Sequence, residues 1–262
     1  MKSFGLKMAF AATTILGFAT TAAQADDWGT VSGYVAVTND YRFRGISQND
    51  TNITPQASVN WSGPDGFYAG VWASKTNWSG FAFSPTDNAT PTVEIDIYGG
   101  KHFDLGGWDL NVEAYYYAYP DADKNILGPS DASYFEGIFQ LSHSFGDLSL
   151  TATGAVSPEF SLGGGTGGYI AGTFSYPLLD WLSVSGTVGH QWVDAAPTDY
   201  THFDLGLSAT YRHWVLDVRA NGTDMGAAAC SFYMPSSIAN GQVCTTGVVA
   251  TLTYNIPDLF NL

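Results

Sequence analysis

Arg42 and Arg44 stand one residue apart in the stretch Asn39-Asp40-Tyr41-Arg42-Phe43-Arg44-Gly45-Ile46-Ser47-Gln48, in a chain with 9 Lys plus Arg against 24 Asp plus Glu. Two guanidiniums at that spacing are permanent charges that bind carboxylates in a fixed fork geometry. The acids Asp40, Glu94, Asp96, Asp109, Glu113, Glu136, Asp204 and Asp217 supply the opposite sign, and Arg219 joins them as a third cation. Such a set can brace a structure by ion pairing, or filter charged solutes across a narrow opening. Catalysis is the weaker reading. The five histidines, His102, His143, His190, His202 and His213, could each serve a Ser–His–acid arrangement, but no G-x-S-x-G elbow is present. The run Gly163-Gly164-Gly165-Thr166-Gly167-Gly168 lacks the lysine of a phosphate loop and reads as a flexible connection. Cys230 and Cys244 flank a stretch without His, Asp or Glu, so they point to a disulfide rather than a metal site. No cofactor is implied.

The elements that must position these residues show a period of two, with no sustained helical pattern. Twelve alternating segments follow: Val31–Arg44, Ile53–Trp61, Phe67–Ser74, Thr92–His102, Trp108–Tyr119, Ser133–Phe145, Leu148–Val156, Gly168–Tyr176, Leu182–Val193, Tyr200–Tyr211, Trp214–Asn221 and Gln242–Tyr254. In each, one face is apolar and the other polar. Val93, Ile95 and Ile97, for example, oppose Glu94, Asp96 and Tyr98. A soluble β-sandwich shares that alternation, so the connections decide. Those at 62–66, 104–107, 146–147, 177–181 and 212–213 are short, and those between them are longer. That rhythm predicts an all-β, up-and-down antiparallel transmembrane barrel of about 12 strands, with short periplasmic turns and longer extracellular loops. Trp61, Phe67, Trp108, Phe145, Trp181, Tyr211, Trp214 and Tyr254 fall near the short turns, where an aromatic girdle belongs.

Composition agrees. Charged residues are 13% of the chain, about half the share usual in a soluble domain, and aromatics reach 15%. Residues 1–25 read as a signal peptide cut after Ala25, with Lys2 and Lys7 ahead of a small, apolar run. Losing those two lysines takes the formal charge from −15 to −17 over a single domain, 26–262. So acidic a chain is no partner for nucleic acid. Its surroundings are expected to be the lipid of a Gram-negative outer membrane.

On strand parity, Arg42 and Arg44 share a face with Ser32, Tyr34, Thr38 and Asp40, which places them in the lumen near its outer mouth. Lipid exposure of either would cost about 2–4 kcal/mol at mid-bilayer. The acids fall on the same interior face, giving an acid-rich pore that prefers cations, with the arginines narrowing its mouth. The stretch Asp40-Tyr41-Arg42-Phe43-Arg44-Gly45-x-Ser47-Gln48, followed by Gly66-x-Tyr68-x-Gly70-x-Trp72-x-Ser74, resembles the start of the bacterial Gcw_chp family, also called TorF-like porins. Asn39 stands where that family has serine. The resemblance implies an outer-membrane, porin-like protein without a settled substrate. The expected function is passive diffusion of small hydrophilic solutes or ions. Alternatives are an outer-membrane lipid-modifying enzyme and a plugged barrel acting through its loops. The chain past Tyr254, Asn255–Leu262, departs from barrels that end on a strand-terminal aromatic, so it is either a tail or a sign that the last strand lies elsewhere.

Overall fold

A computed structural model describes residues 28–78, 91–120, 122, 132–196, 199–233 and 242–259. The signal segment, its cut after Ala25, and the 81–90 part of the second long connection lie outside the described residues. Twelve strands form the wall: β1 (Thr30–Thr38), β2 (Thr54–Ser62), β3 (Phe67–Lys75), β4 (Val93–Asp104), β5 (Asp109–Ala118), β6 (Tyr134–Phe145), β7 (Leu148–Ser157), β8 (Gly167–Leu179), β9 (Leu182–Val193), β10 (Tyr200–Tyr211), β11 (Trp214–Thr223) and β12 (Gly247–Ile256). Each pairs antiparallel with its sequence neighbours, and β12 closes on β1 through Val35↔Tyr254 and Val37↔Leu252. Closure leaves no strand edge unpaired, which a bilayer interior requires.

Alternation sets the two faces. Val59, Ile97, Phe139, Ile170, Val188 and Leu205 are about half exposed and point outward, whereas Asn60, Glu94, Asp96, Glu136 and Gln191 are buried inside. The interior of this protein is polar and its exterior apolar, the inverse of a soluble domain. Phe67, Trp108, Phe145, Trp181, Tyr211 and Trp214 are exposed at the short-turn ends, as an aromatic girdle demands.

Most strand ends shift by one to three residues from the sequence reading, and β12 starts at Gly247 rather than Gln242; three departures carry consequences. β12 runs on to Ile256, and the following tail turns back so that the Leu259 amide donates to the Val31 carbonyl at 2.9 Å. The last long connection holds a helix, α1 (Ala227–Tyr233). The third matters most: β1 ends at Thr38, so Asp40, Arg42 and Arg44 are not on it. The reason is local. The Asn39 side chain donates to the Val248 carbonyl at 3.1 Å and accepts from the Ala250 amide at 2.7 Å. It thereby replaces ladder bonds that β12 would otherwise lose, and the backbone is free to leave the wall. Thr38 Oγ1 donates to the Asp40 carbonyl at 3.0 Å and fixes the bend. From there the chain enters the lumen.

Candidate functional site: a hairpin across the lumen

Residues 42–47 make a miniature hairpin inside the barrel, with Arg42 paired to Ser47 and Phe43 to Ile46. Its turn is Arg44-Gly45, at φ 45° and 87°. Two successive positive φ values match the twist of a two-residue hairpin. Glycine meets that demand freely, but an arginine held left-handed costs roughly 1 kcal/mol. Gly45 is required a second time by space. A Cβ there would lie 2.6 Å from Thr223 Cγ2 and 2.8 Å from the Gly222 carbonyl, so the turn is pressed against β11.

The Arg44 side chain holds the turn in place. Its two terminal nitrogens donate to the two Glu136 carboxylate oxygens at 2.9 and 2.6 Å, and one also donates to Gln191 Oε1. Its guanidinium lies 4.0 Å over the Tyr169 ring and 4.7 Å from that of Phe43. Burial works against the charge, but Glu136 together with Tyr117 and Tyr134 outweighs it, and the Arg44 pKa is raised above its ordinary value. Arg42 works differently. Its Nε binds Asp40 at 2.6 Å, while Nη1 donates to the carbonyls of Asn221 at 3.0 Å and Thr245 at 2.6 Å. Arg44 thus reaches across to β6 and β9, and Arg42 ties the stem to β11 and the segment before β12.

Further bonds complete the cross-section. Asp40 also accepts from Ser47 Oγ at 2.5 Å, and the Gln48 amide closes on the Tyr41 carbonyl at 2.7 Å. Tyr41 donates to Glu94 on β4 at 3.1 Å and meets Trp72 of β3 edge-on at 5.3 Å. Phe43 packs edge-on to Tyr117 of β5. The hairpin therefore touches walls on opposite sides of the barrel. At the long-loop end, Ile46 joins a buried cluster with Trp78, Tyr119, Tyr134, Tyr200 and Val243. The Cys230–Cys244 disulfide, with Cα atoms 5.9 Å apart, lies in that cluster. It anchors the segment whose Val243 carbonyl accepts from the Ser47 amide at 2.9 Å.

The acids and arginines singled out from sequence all face the interior, but they separate into distinct groups. Asp40–Arg42 and Glu136–Arg44 are ion pairs of the hairpin. Arg219 forms an independent triad, binding Asp204 at 2.6 Å and Asp217 at 2.6 Å. Asp109 sits half exposed at the short-turn end and pairs with His102 at 2.8 Å. Glu94, Asp96 and Glu113 are buried with no Lys or Arg partner among the described residues. Tyrosines serve them instead, Tyr41 on Glu94 and Tyr115 on Asp96 at 2.9 Å. Sequence reasoning missed Tyr41, Trp72, Tyr169 and Gln191 as partners of the hairpin. One signal was present: Arg44-Gly45 between the apolar Phe43 and Ile46 is a turn flanked by strand-like residues.

Beneath the hairpin the lumen remains open as a cavity of about 520 Å³. Phe43, Arg44 and Gly45 line one end, and His102, Gly107 and His143 line the other, beside the short turns. The histidines are committed locally: His143 to the Gly107 carbonyl at 2.8 Å, His190 to Thr201 at 3.2 Å, and His202 to the Tyr169 hydroxyl at 2.8 Å.

Among solved structures, the fold is similar to that described as "KdgM porin", at a TM-score of 0.54 and 8% identity, over 86% of this chain and 98% of that one. It is equally similar to the "NanC porin", at TM-score 0.54 and 8% identity with the same coverage. At such identity the likeness is one of fold. No curated protein matches the sequence. The family model described as "Bacterial protein of unknown function (Gcw_chp)" matches residues 22–251.

Proposed function

The chain belongs to the Gcw_chp family, and from that premise we propose that it is an outer-membrane, porin-like channel whose first outward loop folds inward and closes the lumen. The observation that carries the reading is the Arg44–Glu136 pair, which fastens a ten-residue segment across a polar-lined barrel. Ile46, Phe43 and Tyr41 pack against the aromatic roof and wall, while Arg42 and Arg44 bind by charge-assisted bonds. Losing one partner of the buried Arg44–Glu136 pair leaves the other charge uncompensated, so this pair is the point at which the segment can be released. The barrel's likeness in fold to two porins supports the transport class. The short turns are assigned to the periplasm and the apolar exterior to outer-membrane lipid.

The passing solutes are small and hydrophilic, and cations are preferred among ions. Of the lumenal acids, Asp40 and Glu136 are paired one to one with Arg42 and Arg44, whereas Asp204 and Asp217 share Arg219, which leaves one negative charge in excess. Glu94, Asp96 and Glu113 add to that excess when the hairpin moves aside and water reaches them, since a carboxyl ionises more readily once hydrated. An ion channel of this width screens such charge poorly, because the Debye length is about 8 Å at physiological salt.

Planar-bilayer recording tests the proposal. The wild type is expected to be mostly closed with infrequent openings. Glu136→Gln keeps the volume but removes the charge, and it should raise the open fraction at least tenfold. Silence from both proteins, with the barrel correctly inserted, would overturn the channel reading in favour of a permanently plugged barrel.

A further inference from the structure

We infer that the cavity beneath the hairpin is a binding vestibule for a neutral, polyhydroxylated solute of one or two sugar rings. The inference rests on the channel reading above and names what that channel takes. The volume of about 520 Å³ lies within the range of roughly 300–1,000 Å³ common to small-molecule sites.

Lining chemistry selects the class. One wall, from β6 to β9, is a ladder of hydroxyls: Ser142 with Thr151 at 2.9 Å, Ser144 with Ser149 at 2.9 Å, and Thr173 with Thr187 at 3.1 Å. Hydroxyls both donate and accept, so they match a ligand that does the same at every carbon. Tyr115, Tyr117 and Tyr169 line the cavity as well, with ring faces already stacked on Tyr98, Tyr134 and Arg44, so they contribute ring edges to the wall. Three further lining residues carry buried polar atoms with no hydrogen-bond partner among the described residues: Ser175 Oγ, His202 Nδ1 and Asn221 Oδ1. Buried polar atoms are costly unless paired, and a ligand rich in hydroxyls pairs all three types.

Charge excludes the alternatives. Arg44 is the lining guanidinium, and Glu136 and Gln191 already occupy its terminal nitrogens. An acidic sugar would therefore have to compete with the Glu136 carboxylate for the guanidinium that lines the cavity. Of the lining carboxylates, Asp204 is paired with Arg219, and Asp109 sits half exposed at the short-turn rim beside His102, so the body of the cavity away from that rim disfavours an amine. The uncompensated Glu94, Asp96 and Glu113 do not line this cavity. What remains is a neutral, hydrogen-bonding space.

The test is equilibrium binding to the full chain in detergent, by isothermal titration, with maltose, glucuronate and glucosamine as probes. Maltose is expected to bind with Kd of about 1 mM, and the two charged probes at least tenfold more weakly. The double variant Thr153→Val, Ser175→Ala removes two lining hydroxyls at nearly constant volume, and it should weaken maltose at least tenfold. Its heat-modifiable gel mobility should stay that of a folded barrel; if it does not, Ser175→Ala alone is expected to weaken maltose severalfold. No saturable maltose binding to the wild type, tighter binding of either charged sugar, or unchanged binding by the folded variant would each overturn the inference. Binding at equilibrium needs no opening of the hairpin, so such a result leaves the bilayer test of the channel standing on its own.

Discussion

Arg44 and Gly45 carry different halves of the same constraint. Arg44 supplies bonds that hold the turn in the lumen, and Gly45 supplies a shape that lets it seat against β11. Gly45→Ala adds a Cβ within 3 Å of Thr223, the Gly222 carbonyl and His202, at a φ of 87°. The left-handed backbone alone costs about 1 kcal/mol, and the contacts add to it. The hairpin should unseat while the wall remains intact, which bilayer recording would register as more frequent opening at unchanged barrel melting temperature. A drop in melting temperature with no change in gating would show that the turn is a structural brace instead. Ion selectivity is decided at this scale too. Replacing Arg42 and Arg44 together by Ala strips two cations from a lumen already acidic, and reversal potentials across a salt gradient should move further toward cations. An anion-selective wild type, or a shift of the double variant toward anions, would mean that the arginines govern the filter.

Among the elements, the last long connection acts as a strap on the first. Its Val243 and Thr245 carbonyls accept from Ser47 and Arg42, and the Cys230–Cys244 bond fixes that segment to α1. A disulfide closing a loop of this size contributes about 3 kcal/mol in the chain-entropy model. Reduction, or Cys230→Ser with Cys244→Ser, should free the strap and raise the open fraction severalfold without unfolding the barrel, whose ladder bonds lie elsewhere. Unchanged gating in the double serine variant would confine the disulfide to loop stability. The same scale explains why the largest departure in strand assignment fell at the end of β1. Alternation from Asp40 to Arg44 continues the strand pattern, and parity cannot tell a strand that goes on from a hairpin that turns inward. Asn39 is the point of departure, and its side-chain bonds to β12 depend on a strand more than 200 residues later.

Among the described residues, the molecule has two unlike ends: short turns around an open cavity, and, at the other end, the parts of the long connections that include Trp78, Tyr119, Phe160 and Val243 packed into an aromatic roof. Leu105 is exposed at the first end and Thr51 at the second. In intact cells, Thr51→Cys should react with a membrane-impermeant thiol reagent and Leu105→Cys should not, because short turns face the periplasm in barrels of this kind. Both native cysteines are oxidised and give no background. Labelling in the opposite order would invert the orientation, and with it the direction from which a solute meets the hairpin.

Residue alternation and connection length, with the aromatics near the short turns, determined the twelve strands and their inward and outward faces, and the absence of His, Asp or Glu between Cys230 and Cys244 determined the cysteine pair. These properties are local: a strand's two faces meet different solvents, and the sequence records that every second residue. The same parity placed Glu94, Asp96, Asp109, Glu113, Glu136, Asp204, Asp217 and Arg219 in the interior. Only the tertiary structure decided which charges meet. Glu136 lies 92 residues from Arg44, and Gln191 lies 147, distances over which no periodicity carries information. They become neighbours because closing the sheet brings distant strands around one narrow space, and the chain after Asn39 turns into that space instead of continuing the wall.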